Sequence, residues 1–483
     1  MNKNYLTQVV ILFLLTIGIL FGISTFQSND TNFTIKKIDI LANIRNIPVV
    51  TDSLIIETAP PSTTGNYVIN DTSIATDTII LTPQSNTIMV RPPITITPQR
   101  KQGDITLIED YTIEQAGLLN FEKAINSLDT LQRPVRIAVL GDSFIEADIL
   151  TENIRQLLQD MYGGHGVGYV AMHSDFPGFR YSVSQSSSGW DTYSVASKPD
   201  YSKTSLTLQL HCPKSEEKAI TNFKGVKKLR HLNTWDISKI GFIAGAEGVI
   251  SVKSDSSLYN FEIKPENEAQ FIVIEEHTHT LQISCEQSEI AFWGAWLDGT
   301  SGIAVDNVSI RGYSGTTLQN IPNERLRELN KAIPYDLIVL QYGLNRMKPT
   351  ITDYSKYTTQ LVEAITHLKS AFPKTDILII GVSDRCQNID NSLQTMDAVY
   401  GIIKAQRDAA IETQCHFWDC CETMKTLGGM PTFVEKKWAH KDYTHLGHAG
   451  GKPLAEEFVK ALKYILEKDT LSYIPQSEEI IHE

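Results

Sequence analysis

Strands that alternate with helices along most of the chain predict an α/β fold, a mostly parallel sheet with helices on both faces. Three stretches carry that expectation. Val135 to Leu140 is a short apolar run bounded by Pro134 and Gly141, followed by a Gly141-Asp142-Ser143 turn and a helical pattern. The same alternation resumes from Tyr335 to Ile465. Between them, residues 196–304 read as short β runs, which predicts a β-sandwich or jelly-roll module inserted into the α/β domain.

Each element has its own reason. After the first turn, residues 147–161 place Ile149, Leu150, Ile154, Leu157, Leu158 and Met161 on one helical face. Tyr335 to Gln341 reads as a second buried strand. Tyr354 to Phe372 reads as a helix with Tyr357, Leu361, Ala364, Ile365, Leu368 and Phe372 inward. Thr375 to Val382 is a third strand, and a helix follows from about Leu393 to Thr413. Pro453 then starts a closing helix through Leu454, Phe458, Leu462 and Ile465. In the insert, the runs are Leu206–Leu210, Lys239–Ala244, Val249–Val252, Tyr259–Ile263, Phe271–Ile274, Thr280–Ser284 and Glu289–Trp293.

The N-terminal part reads differently. Tyr5 to Phe26 holds no charged residue and is long enough to span a bilayer, with Lys3 before it. Neither an Ala-x-Ala-like site nor a cysteine follows closely. An uncleaved signal anchor (1–26) with the bulk exported fits this pattern. Residues 27–105 are rich in Thr, Ser, Asn, Asp and Pro, including Pro60-Pro61 and Pro92-Pro93. They read as an extended or disordered stalk with a root-mean-square reach on the order of 50 Å. A net charge of −13 without a basic stripe argues against a nucleic-acid partner.

Several motifs have bland readings. Gly163-Gly-His-Gly-Val-Gly168 lacks the Lys-Ser/Thr pair of a phosphate loop and reads as a helix cap and turn. The segments at Gly168-Tyr-Val170, Pro177-Gly-Phe-Arg180 and Ser188-Gly-Trp190 suit either a pocket wall or loop packing. His277 and His279 would share a strand face, but without a third ligand a solvated face is the better reading. Among the six cysteines, Cys212 and Cys285 both fall in the insert, where a disulfide between them is a guess. Cys415, Cys420 and Cys421 do not have the spacing of a structural zinc site.

Four short blocks occur in a telling order. Ser143 follows the first strand, Gly315 sits in Ile-Arg-Gly-Tyr-Ser-Gly-Thr-Thr317, and Asn345 ends Val-Leu-Gln-Tyr-Gly-Leu-Asn. Asp442-Tyr-Thr-His445 precedes the last helix. Serine, glycine, asparagine and histidine in this sequence resemble the blocks of the SGNH, or GDSL, hydrolase superfamily, over residues 106–195 and 305–470. The resemblance implies a flavodoxin-like three-layer domain, with the insert between its two parts and residues 471–483 as a tail. Gly141-Asp-Ser-Phe-Ile-Glu-Ala-Asp148, Gly-Val-Gly-Tyr-Val and Ser-Gly-Trp190 look like the bacterial periplasmic peptidoglycan O-acetylesterases. Two positions depart from the pattern: Arg346 stands where many members have aspartate, and Phe144 where histidine is common.

The resemblance implies a serine esterase that needs no cofactor or metal. Ser143 would be the nucleophile, His445 its base and Asp442 the carboxylate that orients the imidazole. The Ser143 and Gly315 N–H groups and the Asn345 amide would form the oxyanion hole. The implied substrate is an acetylated glycan, peptidoglycan or another surface polysaccharide, met at the periplasmic side of the inner membrane. Two other readings stay open: an O-acetyltransferase using the same triad, and a non-catalytic glycan-binding protein. A metal site built from His440, Asp442, His445 and His448 is a rival, but it leaves Ser143, Gly315 and Asn345 unexplained.

Overall fold

Three strand ends fix where the chemistry can sit. In a computed structural model, which describes residues 97–196, 207–389 and 391–472 (side chains to 467), Val135–Gly141 lies between Ile303–Ser309 and Leu337–Gln341. All three are parallel, and Gly141 is in register with both Ser309 and Gln341. The chain leaves each strand at the same edge. Asp376–Ile380 and His416–Trp418 extend the sheet in parallel, and Ile108–Asp110 closes it antiparallel. Counted along the chain, the parallel strands lie in the order 2-1-3-4-5, a doubly wound α/β sheet whose switch point is beside the first strand.

Alternate side chains of these strands feed two apolar clusters, one on each face. Ala138, Leu140, Ile338, Leu340, Ile377 and Ile379 pack with helices Asn323–Ala332, Ser355–Ala371 and Asp397–Glu412. Ile137, Val139, Leu337, Val339, Leu378 and Ile380 pack with helices Leu119–Asn126, Thr151–Tyr162, Cys420–Thr426 and the closing helix. A strand covered on both faces reads as a continuous apolar run, which is why these were visible in the sequence.

Between the first two parallel strands the chain forms two antiparallel sheets. One runs Gln270–Thr278, Trp235–Ala244, Ile290–Asp298, Gln209–Pro213, Trp190–Ser194, with Gly168–Val170 added beside Ile290–Asp298. The other runs Leu258–Ile263, Gly248–Lys253, Thr280–Cys285, Ala219–Lys224, Ser184–Ser188. Phe242, Ile272, Ile274, Phe292 and Leu297 of the first share one core with Ile250, Val252, Ile283 and Phe223 of the second. Of the seven expected β runs, five fall within these strands, Glu289–Trp293 overlaps Ile290–Asp298, and of Leu206–Leu210 only Gln209 and Leu210 lie in a strand, Leu206 being outside the described residues. Antiparallel pairing already begins at Gly168, ahead of residue 196.

Several local expectations need correcting. The Ile303–Ser309 strand, which flanks Val135–Gly141 at one edge of the sheet, has no counterpart in the sequence reading, because Asp306 and Asn307 interrupt its apolar pattern. The helix expected over 147–161 begins only at Thr151 and runs to Tyr162, and a separate short helix, Ser143–Glu146, precedes it. The closing helix begins at His448, five residues before Pro453. Cys212 and Cys285 sit on different sheets as free thiols, so the guessed bridge is not formed.

The glycine motif after the first helix has a stronger reason than a turn. Gly163 ends the helix, as expected. Gly164, Gly166 and Gly168 then take φ of +100°, +91° and +73°, and a Cβ on any of them would lie within 3 Å of Ile303, Leu297 or Val305 backbone and the Asp306 carboxylate. Only glycine lets this loop thread between the two strands.

The proposed anchor, nearly all of the stalk and the end of the C-terminal tail lie outside the described residues. Of the stalk, Lys101–Gln102 and Ile105–Thr106 form a small hairpin. Among the described residues, no helix is long and apolar enough to cross a membrane.

Candidate active site

Ser143 is the first residue of a four-residue helix that follows the Val135–Gly141 strand after Asp142. A Cβ on Gly141 would lie 2.3 Å from Ile145 Cγ1, so glycine permits the tight reversal that follows the strand. Asp142 caps the helix, its Oδ1 accepting from the Phe144 N–H at 3.0 Å. Ser143 is half-buried and Phe144 is buried beneath it.

The Asp442–His445 turn is held locally. His440 N–H donates to the His445 carbonyl at 2.8 Å, and Ala439 bridges to Leu446. Within it, His445 Nδ1 lies 2.6 Å from Asp442 Oδ2. The same carboxylate accepts from the backbone N–H groups of Thr444 and His445, at 3.0 and 3.1 Å. Partial burial pushes the Asp442 carboxyl up, but the imidazole and these two amides outweigh it and hold the group below its ordinary value. A carboxylate on Nδ1 turns Nε2 outward as the free nitrogen. Ser143, Asp442 and His445 line one cleft of about 520 Å³.

The other two blocks arrive on the loops after Ser309 and Gln341. Gly315 has φ of +75°, and a Cβ there would lie 2.6 Å from the Tyr342 ring. Its glycine is thus demanded by tyrosine packing as well as by the backbone. Asn345 Nδ2 donates to Asp142 Oδ2 at 2.8 Å and to the Tyr313 carbonyl at 3.1 Å. Asn345 therefore ties the first, second and third blocks together. Arg346, the departure from the family pattern, places its guanidinium 5.9 Å from the Tyr357 ring centroid, and its N–H caps the turn on Gly343 O at 2.9 Å.

Other residues shape the cleft and had little sequence signal. Arg311 pairs with Glu146 at 2.8 Å and lies over the rings of Phe176 and Phe179, at 4.6 and 5.2 Å. It separates the serine cleft from a second cleft of about 360 Å³ that includes His173, Phe176, Arg180 and Gln185. Tyr181 stacks on His448 at 3.9 Å. Of the three aromatic segments, only Pro177–Arg180 reaches the serine cleft; Tyr169 and Trp190 are core residues.

Asp148, fully buried with φ of +61°, anchors this region. It accepts from Arg155 at 3.0 Å and Asn307 at 2.9 Å, and Arg180 approaches to 3.5 Å. Burial pushes its carboxyl up, but Arg155 and Arg180 outweigh that and hold it well below the usual range.

The rival metal arrangement at His440, Asp442, His445 and His448 is not assembled. Among the described residues, the one His/Cys/Asp/Glu group whose ligand atoms converge lies elsewhere, at His165, Asp236 and His277. His277 and His279 do not share a face: the strand ends at Thr278, and His279 turns away to bond the Asn233 carbonyl at 2.6 Å.

No protein-family model matches the chain, and no curated protein matches it in sequence. Solved structures do. A peptidoglycan O-acetylesterase aligns at a TM-score of 0.61 and 19% identity, over 75% of this chain and 99% of its own. A family two carbohydrate esterase from Cellvibrio japonicus aligns over 59% of this chain and 98% of its own at 10% identity, with a TM-score of 0.25. An acetyl xylan esterase aligns over 33% and 81% at 19% identity, also with a TM-score of 0.25. Scores that low bear on neither fold nor chemistry, so the first of the three carries the comparison. With its 2-1-3-4-5 sheet and its serine, glycine, asparagine and histidine blocks at one sheet edge, the chain shares the fold of that peptidoglycan O-acetylesterase.

Proposed function

We propose that this protein is a serine esterase that removes O-acetyl groups from a glycan. The observation that carries it is the 2.6 Å contact between His445 Nδ1 and Asp442 Oδ2, in the same cleft as Ser143. In this reading Ser143 Oγ attacks the acetyl carbonyl while His445 Nε2 takes its proton. The oxyanion is met by the Ser143 and Gly315 N–H groups and the Asn345 amide. Collapse expels the sugar oxygen, which takes the proton from His445 and leaves acetyl-Ser143. Water then attacks with the same base, and acetate departs.

A glycan is favoured as substrate by exposed aromatic rings at and beside the cleft, surfaces on which sugar rings stack. Phe179, 48% exposed, lines the serine cleft; Phe176, 46% exposed, lines the second one, and Tyr181, 55% exposed, follows in the same segment. A solved structure with the same fold is a peptidoglycan O-acetylesterase, which makes peptidoglycan or a similar surface polysaccharide the first substrate to try. The antiparallel sheets form, in this reading, a β-sandwich module inserted between the two parts of the hydrolase domain. Residues 1–26 anchor the protein in the inner membrane, and residues 27–105 hold the catalytic unit in the periplasm. Protease added outside spheroplasts should then release an active fragment that begins near residue 100; a protected catalytic unit would refute that topology.

Hydrolysis of p-nitrophenyl acetate, with and without a deacetylated glycan, tests the activity. Acetate release lost in Ser143→Ala supports the esterase. Acetyl appearing on the glycan in place of free acetate makes the protein a transferase. Glycan binding without turnover would leave only a binding protein.

A further inference from the structure

The glycine loop at 163–168 carries one side chain that the catalytic reading does not use. His165 sits between Gly164 and Gly166, whose tight approach to the Ile303–Ser309 and Ile290–Asp298 strands leaves the loop no freedom to move away. Its ring is fixed as well. Gly299 donates its N–H to the His165 carbonyl at 2.8 Å, and a Cβ on Gly299 would lie 2.8 Å from His165 Nδ1. Nε2 is therefore aimed outward, at Asp236.

Asp236 and His277 are brought to the same point by an irregularity in the sheet. Trp235 pairs with Thr278 but Ile237 pairs with Glu275, so Glu276 and His277 together face Asp236. Such a bulge re-aims side chains that a regular ladder would send apart. The outcome is a convergent set: His165 Nε2 lies 3.0 Å from Asp236 Oδ2, and His277 Nδ1 lies 2.7 Å from Asp236 Oδ1. All three ligand atoms are within 4.8 Å of one another. The His165 Nε2 atom is buried, and its 3.0 Å contact with the Asp236 carboxylate is not aligned as a hydrogen bond.

We propose that His165, Asp236 and His277 bind a divalent transition-metal ion of the zinc class, which clips the glycine loop of the α/β domain to the antiparallel sheet. Two imidazoles and a carboxylate are a donor set that zinc accepts, with water in the fourth position. Bonds of about 2.0–2.1 Å in a tetrahedron put ligand atoms about 3.3 Å apart. The two contacts to Asp236 need open only by about half an ångström to reach that, while the two imidazole nitrogens, within 4.8 Å of each other, draw toward the same spacing. His277 is 66% exposed, so the site has a solvent side for the water and for entry of the ion. The sequence could pair His277 only with His279; the partners are far apart along the chain.

The test uses the full chain without a histidine tag, treated with chelator and then titrated with zinc chloride. Bound zinc is read by elemental analysis after gel filtration, and melting temperature is read alongside. About one zinc per chain should be retained, with a raised melting temperature. His277→Ala should weaken binding by at least about tenfold and remove the thermal shift; Asp236→Asn should do the same. His279→Ala, two residues along, should change neither. His277 is exposed at the end of a strand, so that variant folds even where His165→Ala does not. No retained zinc, or zinc retained equally by His277→Ala and Asp236→Asn, would overturn the proposal.

Discussion

Asn345 donates from Nδ2 to Asp142 Oδ2 at 2.8 Å, so the asparagine expected to meet the oxyanion already holds the residue before the nucleophile. Its second acceptor, the Tyr313 carbonyl, belongs to the loop that carries Gly315. One amide thereby sets the relative positions of Ser143, Gly315 and itself. In the proposed reading a substrate oxyanion near this amide shares a hydrogen with acceptors already in place, so Asn345 would act as a donor as well as the clamp that its two hydrogen bonds make it.

Replacing Asn345 should therefore cost more than one hydrogen bond. In the proposed reading Asn345→Ala removes an oxyanion donor, and loss of one such donor lowers turnover by about 10²–10³-fold. It also deprives the buried Asp142 carboxylate of a partner. Turnover should fall in that range and the melting temperature should drop with it. An unchanged turnover number at saturating p-nitrophenyl acetate would remove Asn345 from the site.

Asp142 itself gives a pH signature. Burial pushes its pKa up to about 6, against the Phe144 N–H and the His445 charge, which pull it down. The unfolded carboxyl titrates near 3.9. A folded pKa above the unfolded one means that the stabilisation belongs to the protonated form. It is present below about pH 4 and is lost as pH rises through about 6, a change on the order of 3 kcal/mol. Urea unfolding of wild type and Asp142→Asn at pH 4, 5, 6 and 7 isolates the effect. Wild type should lose ground to the variant across that window, and parallel curves would show that Asp142 does not titrate there.

How much of this was readable depended on whether burial left a pattern. Val135–Leu140, Leu337–Leu340 and Ile377–Ile380 are covered on both faces, so each is an unbroken apolar run. Ile303–Ser309 is equally buried yet carries Asp306 and Asn307, which are bound by Arg136 and by the Ile145 carbonyl and Asp148. Polar residues inside a strand look like a loop until their partners are known. Ser143, Asp442 and His445 were legible because two of them are neighbours and the third sits on a turn type. Arg311, Arg180 and His165 were not, since their partners lie on other elements and no spacing links them. Ala219–Lys224 went unseen because Thr221 is one of its buried positions.

The Arg136 network should be a main source of cohesion between the parallel sheet and the antiparallel one. Its Nη2 lies 2.5 Å from Asp298 Oδ2 and its Nη1 lies 2.8 Å from Asp306 Oδ1, with all three groups buried. Trp296 Nε1 and the Tyr335 hydroxyl donate to the other Asp306 oxygen, at 3.0 and 2.9 Å. Arg136→Met strands two buried carboxylates and should cost about 3–5 kcal/mol. Lys404→Ala, which breaks an exposed pair with Asp408, should cost less than about 1 kcal/mol. Equal losses for the two in urea unfolding would mean that the network is not strongly coupled to the fold.

The triad makes the sharpest demand. In Asp442→Asn the imidazole loses the carboxylate 2.6 Å from Nδ1, which fixes its tautomer and stabilises its charged form. Turnover should fall by roughly 10²–10⁴-fold, with little change in melting temperature because the side chain is 48% exposed. His445→Ala should be at least as damaging. Either change combined with Ser143→Ala should add little, because residues that act as one unit are not additive. Chelator provides an independent arm: the zinc site proposed at His165 lies outside the catalytic cleft, so chelation should lower the melting temperature while Ser143-dependent turnover persists below it. Turnover abolished by chelator at a temperature where the protein stays folded, yet surviving Ser143→Ala, would hand the chemistry to a metal and end the serine reading.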